Sequence, residues 1–241
     1  MWIGTEEGGL NMYDPNRFKF KEKFPAISNL ENKSARSVKS VHLDSKGRYW
    51  IGTDAGLMKL DKDKNLLKWY THDEKRNSLM VGGVMAVQEM SPTCLLIGSW
   101  GGGLQRFYPE SEHFFTYAKN DYFKKEADIT KLATMVVLNI MKDEKDDYYI
   151  TSIFDVIDKY DTVNNLFQKI YIEGEWTWNL VNDPENNKIW FGNNKGFFSL
   201  DKDKNKLTSY KHDELNENSL LSNVVNYVAR DTQGYFMACN R

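Results

Sequence analysis

Trp176 and Trp178 stand two residues apart in the stretch Glu175-Trp176-Thr177-Trp178-Asn179, and paired indoles can offer a flat apolar surface to a ligand. The apolar face of a sugar ring stacks on such aromatics, while its hydroxyls need charged and amide partners. Arg36, Lys39, Asp54, Asn193 and Asn226 could supply those partners, and Trp100 could supply a third ring. An oligosaccharide or other small ligand is therefore the partner that this set of residues fits. Other chemistries find less to work with. His42, His72, His113 and His212 do not lie at metal-ligand spacing with Cys or carboxylate companions, so neither a metal nor another cofactor is expected. Glycan cleavage would need two carboxylates roughly 5 to 10 Å apart, or a His/Tyr/Arg set. Glu89 and Asp128 are candidates by position only, neither has an evident partner, and no residue is assigned a catalytic role.

What would place the binding residues on one face is a repeat. The stretch Tyr49 to Leu60, YWIGTDAGLMKL, returns as Trp2-Ile3-Gly4-Thr5, Leu96-Ile97-Gly98-Ser99, Tyr149-Ile150-Thr151-Ser152, Trp190-Phe191-Gly192-Asn193 and Phe236-Met237-Ala238-Cys239. Intervals of about 40 to 50 residues belong to solenoids or propellers. Within the most complete unit, short apolar runs at Ser37 to Leu43, Arg48 to Thr53, Leu57 to Asp61 and Leu66 to Tyr70 are separated by turns rich in Asp, Gly and Asn. Helical spacing of apolar residues is missing from the units. Four strands of about five residues predict one antiparallel sheet, and radial repetition of that sheet is a β-propeller. The fold class is thus all-β: a propeller of four-stranded antiparallel blades forming a single region over 1–241. It divides into a partial blade at 1–36, blades at 37–82, 83–134, 135–175 and 176–222, and a partial blade at 223–241. Residues 119–131 form a longer polar link.

Repetition also sorts scaffold from site. Trp2, Trp50 and Trp190 recur at one position and are expected in the core between blades, while Gly52, Gly56 and Gly196 serve turns or close strand approach. His72 and His212 occupy the same joint in two units, which predicts a shared structural hydrogen bond. Asp44, Asp143, Asp183 and Asp231 follow the inner strands and are expected to cap turn amides. Alignment on these aspartates puts Lys39, Met85, Leu138, Trp178 and Asn226 in one column, with Arg36 and Trp176 beside it. Trp176 and Trp178 break the repeat, and residues that break it are the ones free to serve a ligand on the channel face.

The balance of 32 basic and 34 acidic residues, scattered along the chain, gives a net charge of −2 and excludes a direct nucleic-acid role. No apolar run of about 18 residues is present. There is no secretory leader either; Met1 is followed at once by a repeat core, which suggests a fragment boundary. Cys94 and Cys239 fall in different units, and no disulfide is expected between them.

Trp2 to Asp14, Asp44 to Asp61, Trp190 to Asp201 and the joints His72-Asp73 to Ser78-Leu79 and His212-Asp213 to Ser219-Leu220 carry a recognisable pattern. It resembles the two-component-regulator propeller repeat, found in the periplasmic sensor region of Bacteroides-type hybrid two-component histidine kinases; units three and four match in outline. The resemblance implies seven-bladed propellers of about 330 residues, of which this chain would hold about five blades. It implies an extracytoplasmic ligand-sensing module, carbohydrate-responsive and non-catalytic by itself, in the periplasm as part of an inner-membrane sensor. Kinase activity would lie in signalling domains outside these residues, and a second protomer is a further implied partner. The alternatives are a propeller glycoside hydrolase or polysaccharide lyase, a protein-binding scaffold, and, for architecture, a closed five-bladed ring completed by Val224 to Ala229.

Overall fold

The computed structural model describes residues 2–5, 9–14, 19–23, 27, 30–74, 77–80, 82–117, 131–154 and 156–239. These fall into two units, Met1–Tyr117 and Ala118–Arg241. In the first, β1 (Trp2–Thr5), β2 (Gly9–Asp14) and β3 (Lys19–Lys23) form a three-stranded sheet. A single helical turn, α1 (Lys33–Arg36), capped by the Asn32 side chain, leads into β4 (Val38–Leu43), β5 (Tyr49–Thr53), β6 (Gly56–Leu60) and β7 (Leu66–Tyr70). β8 (Val84–Ser91), β9 (Cys94–Ser99), β10 (Gly103–Tyr108) and β11 (His113–Thr116) make the next sheet. The second unit holds β12 (Asn139–Lys142), β13 (Tyr148–Thr151), β14 (Val156–Asp161) and β15 (Leu166–Tyr171). It continues with β16 (Leu180–Asp183), β17 (Lys188–Asn193), β18 (Gly196–Asp201) and β19 (Lys206–Tyr210), then the hairpin β20 (Tyr227–Arg230) and β21 (Phe236–Cys239).

Each sheet is an antiparallel meander in chain order, and the four sheets β4–β7, β8–β11, β12–β15 and β16–β19 are the four-stranded unit that the repeat predicts. The unit beginning near 135, the most divergent in sequence, builds the same four strands as its neighbours. Residues 119–130 of the longer link, and Asp128 with them, lie outside the described residues.

Strand alternation sends the two faces of a sheet into different cores. In β5 and β6, Ile51, Met58 and Leu60 pack with Leu10 and Val38, whereas Trp50 and Leu57 pack with Val84, Ile97 and Phe107 of the following sheet. Trp50 is fully buried, as its recurrence predicts. Trp190 is half-buried and lies among Phe197, Tyr210 and Phe236. Both indoles share a feature that the sequence did not announce: Trp50 Nε1 donates to Asp44 Oδ2 at 2.8 Å, and Trp190 Nε1 to Asp183 Oδ2 at 3.1 Å. The turn aspartates do cap amides, since Asp44 Oδ1 accepts from Lys46 N and Arg48 N, and Asp143 Oδ1 from Lys145 N and Asp147 N. Asp44 and Asp183 also anchor the tryptophans.

The glycines after Trp50-Ile51 and after Trp190-Phe191 are required by sheet packing. A Cβ on Gly52 would lie 2.5 Å from the Val84 carbonyl oxygen, and one on Gly192 would lie 2.7 Å from that of Val225. The inner strand region of the next sheet approaches too closely for any side chain there. Cys94 and Cys239 are both free thiols.

Candidate functional site

In the second unit the site is the connection from β15 to β16, residues 172–179. It is shaped by the tight β17–β18 turn at Asn193-Asn194-Lys195. Asn193 Nδ2 donates to the Glu173 carbonyl at 2.7 Å, while its Oδ1 accepts from Lys195 N at 2.8 Å. Asn194 Oδ1 accepts from Glu175 N at 2.8 Å, and Gly174 crosses the turn at φ +91° with no room for a Cβ. Trp176 N donates to the Ile153 carbonyl at 3.4 Å. Held at these points, Trp176 adopts φ +62°, a left-handed conformation that is an outlier for a bulky residue. Its ring is 37% exposed and sits 5.6 Å from the half-buried Trp178 ring, the planes tilted by 30°. Thr177 between them is fully buried, and its Oγ1 has no hydrogen-bond partner.

Asn193, expected to touch ligand, is 1% exposed with both ends of its carboxamide bonded to main chain. Its place is in the scaffold of the tryptophan loop, because a turn residue of this kind satisfies nearby backbone before it can reach outward. Its carbonyl accepts from Val225 N at 2.8 Å, which brings the half-buried Asn226 into the same neighbourhood. Glu173, Asn194 and the paired bonds between Asn179 and Val228 were missed by sequence reasoning. The doubled Asn in the turn was the available signal.

In the first unit Lys39 Nζ and Asp54 Oδ2 form an ion pair at 3.1 Å, so two of the expected polar contacts bind each other. Asp54 also lies against Gly83, and Trp100, 39% exposed, donates its main-chain N–H to the Gly83 carbonyl at 2.8 Å. Gly82, at φ +103°, lets the chain pass the Trp100 backbone. Arg36 ends α1, half-buried, with its Nε shielded from water and lacking a hydrogen-bond partner. The structure thus gathers Lys39, Asp54 and Trp100 in one group, and Trp176, Trp178, Asn193 and Asn226 in another.

Glu89 is not placed as an acid or base. Its carboxylate accepts from Ser45 N at 2.8 Å and Ser45 Oγ at 2.6 Å, and its own N–H donates to His42 Nε2 at 3.2 Å. Burial pushes the His42 pKa down, outweighing Glu89 and Asp44, which suits a neutral ring accepting that bond. Among the described residues, no group of three or more His, Cys, Asp or Glu side chains could hold a metal ion.

No protein-family model matches the chain, and no curated protein matches it. Solved structures do. The extracellular domain of BT3049 from Bacteroides thetaiotaomicron, described as a hybrid two-component system, superposes with a TM-score of 0.76 at 17% identity over 98% of this chain and 30% of that one. The extracellular domain of BT4673 from the same organism, described as a one-component system, gives 0.55 at 14% identity, covering 98% of this chain and 37% of that one. The chain spans about a third of the length of these structures and shares their fold. The repeat resemblance pointed to the same class of sensor.

Proposed function

We propose that the chain is an extracytoplasmic ligand-sensing module of a two-component sensor. It forms about five blades of a seven-bladed propeller, responds to carbohydrate and is non-catalytic by itself. Histidine kinase activity belongs, on this reading, to other domains of the protein. The proteins whose fold it shares support the sensing role, since they are extracellular domains of regulatory systems. The observation that carries the binding reading is Trp176: a bulky residue at φ +62°, exposed beside Trp178 on a loop held by three hydrogen bonds. Strain of this kind costs about 1 to 3 kcal/mol and persists where the surroundings over-determine it, most often at ligand sites. A sugar face on the indoles, with hydroxyls reaching Asn226, is the contact this arrangement supports.

A glycan array followed by titration of tryptophan fluorescence tests it. An oligosaccharide should quench the emission saturably, and Trp176→Ala and Trp178→Ala should each weaken binding about tenfold, the loss of roughly 1.4 kcal/mol. Binding unchanged in both variants, or no glycan bound at all, would remove this site from the sensing role.

A further inference from the structure

The guanidinium of Arg36, the last residue of α1, has two unlike edges. Nε is closed off from water without a hydrogen-bond partner, and so is the hydroxyl of the neighbouring Ser37, which is 3% exposed. The Nη edge is not closed off from water, and among the described residues it makes no hydrogen bond or ion pair. A half-buried cation is therefore held here with no counter-charge of its own. Orphan donors and uncompensated charge cost stability, so the fold gains nothing from this group.

Ser37 ties Arg36 to the rest of the first-unit group. The Ser37 carbonyl accepts from Asp54 N at 3.2 Å, and the Asp54 carboxylate pairs with Lys39 Nζ at 3.1 Å. Asp54 lies against Gly83, whose carbonyl accepts the main-chain N–H of Trp100. Arg36 and Lys39 against Asp54 leave one positive charge in a group that also holds the exposed Trp100. One carboxylate balances that charge. A phosphate monoester, carrying about 1.5 to 2 negative charges, would set its excess beside Asp54. The paired Nη groups can take both oxygens of a carboxylate at once, and an indole offers its face to a ring that carries one.

We propose that Arg36, with Lys39 and Trp100, forms a site for the carboxylate of a small ligand, built from none of the residues of the tryptophan loop and independent of the reading given to Trp176. The test follows the arginine Nε–H resonances of the full chain by NMR, with the Arg36 signal assigned by its loss in Arg36→Met. The probes are D-glucuronate, its neutral amide D-glucuronamide, and acetate. Glucuronate should shift the Arg36 signal saturably, and the amide should bind at least about tenfold more weakly. Glucuronate binding about tenfold tighter than acetate would assign a sugar acid as the ligand, and equal binding a simple carboxylate. Arg36→Met should abolish the chemical-shift response of its neighbours to glucuronate without lowering the melting temperature. No response to either carboxylate, an equal response to the amide, or a lowered melting temperature in Arg36→Met would overturn the proposal.

Discussion

At Trp176 the backbone and the side chain make opposite demands. Glycine adopts φ near +60° without the Cβ penalty of about 1 to 2 kcal/mol, so Trp176→Gly should be more stable than Trp176→Ala by about 1 kcal/mol in urea unfolding. Both variants lose the ring, so both should lose ligand equally. An Ala variant as stable as the Gly variant would mean that the left-handed conformation stores nothing. Trp50 shows the reverse situation, a ring kept for the fold. It is fully buried, edge-on to Phe107 at 5.8 Å, and donates to Asp44. Trp50→Ala should cost about 3 to 5 kcal/mol. Trp50→Phe keeps most of the packing but leaves Asp44 one donor short, a loss of about 1 to 3 kcal/mol. Equal losses in the two variants would argue that the indole N–H contributes nothing.

Between strands, buried carboxylates tie one element to the next, and their titration has a sign. Burial works to raise the pKa of Asp44, but hydrogen bonds from Trp50 and Arg48 outweigh it and hold the carboxyl below its ordinary value. Asp183 is held down in the same way, against burial, by Asn186 and Trp190. A depressed carboxylate contributes stability that is complete above the unfolded value near pH 4 and is lost as pH falls through the folded value. Stability should therefore fall below about pH 4, and Asp44→Asn should flatten that slope in urea melts taken from pH 5 to pH 2.5; a parallel slope would clear Asp44 of the role. Asp158 on β14 goes the other way. Burial pushes it up even though Lys169 on β15 pairs with it, and both side chains are almost wholly enclosed with the Lys131 carbonyl and the Ala133 N–H. Removing one partner strands a buried charge, so Asp158→Leu should cost about 3 to 5 kcal/mol, while the double variant Asp158→Leu/Lys169→Met should recover most of it. A double variant as unstable as the single would show that the pair itself stabilises the sheet.

Across the molecule, what repeats was legible and what the repeat positions was not. Turn aspartates, the His72 and His212 joints and the strands of the four-stranded sheets were visible because each recurs with its own local chemistry, even where Asp155-Val156-Ile157 replaced the usual Gly-Leu. The ion pair of Lys39 on β4 with Asp54 just past β5, and the burial of Asn193 at the end of β17 against the Glu173 carbonyl, were not, because both depend on side-chain contacts at strand ends that the repeat does not encode. The same logic ranks the sheets by stability. β9 is buried at all six residues and hydrogen-bonded on both sides, by β8 and β10. β20 and β21 form a two-stranded hairpin on which Tyr227, Tyr235 and Met237 are each more than half exposed. A two-stranded ribbon is marginal in water without a covering layer, and amides there exchange through local opening instead of global unfolding. Hydrogen exchange should show β9 protected at least about a hundredfold more than β20 and β21, a gap of roughly 3 kcal/mol in opening free energy. Equal protection would mean that the β20–β21 hairpin is covered in solution.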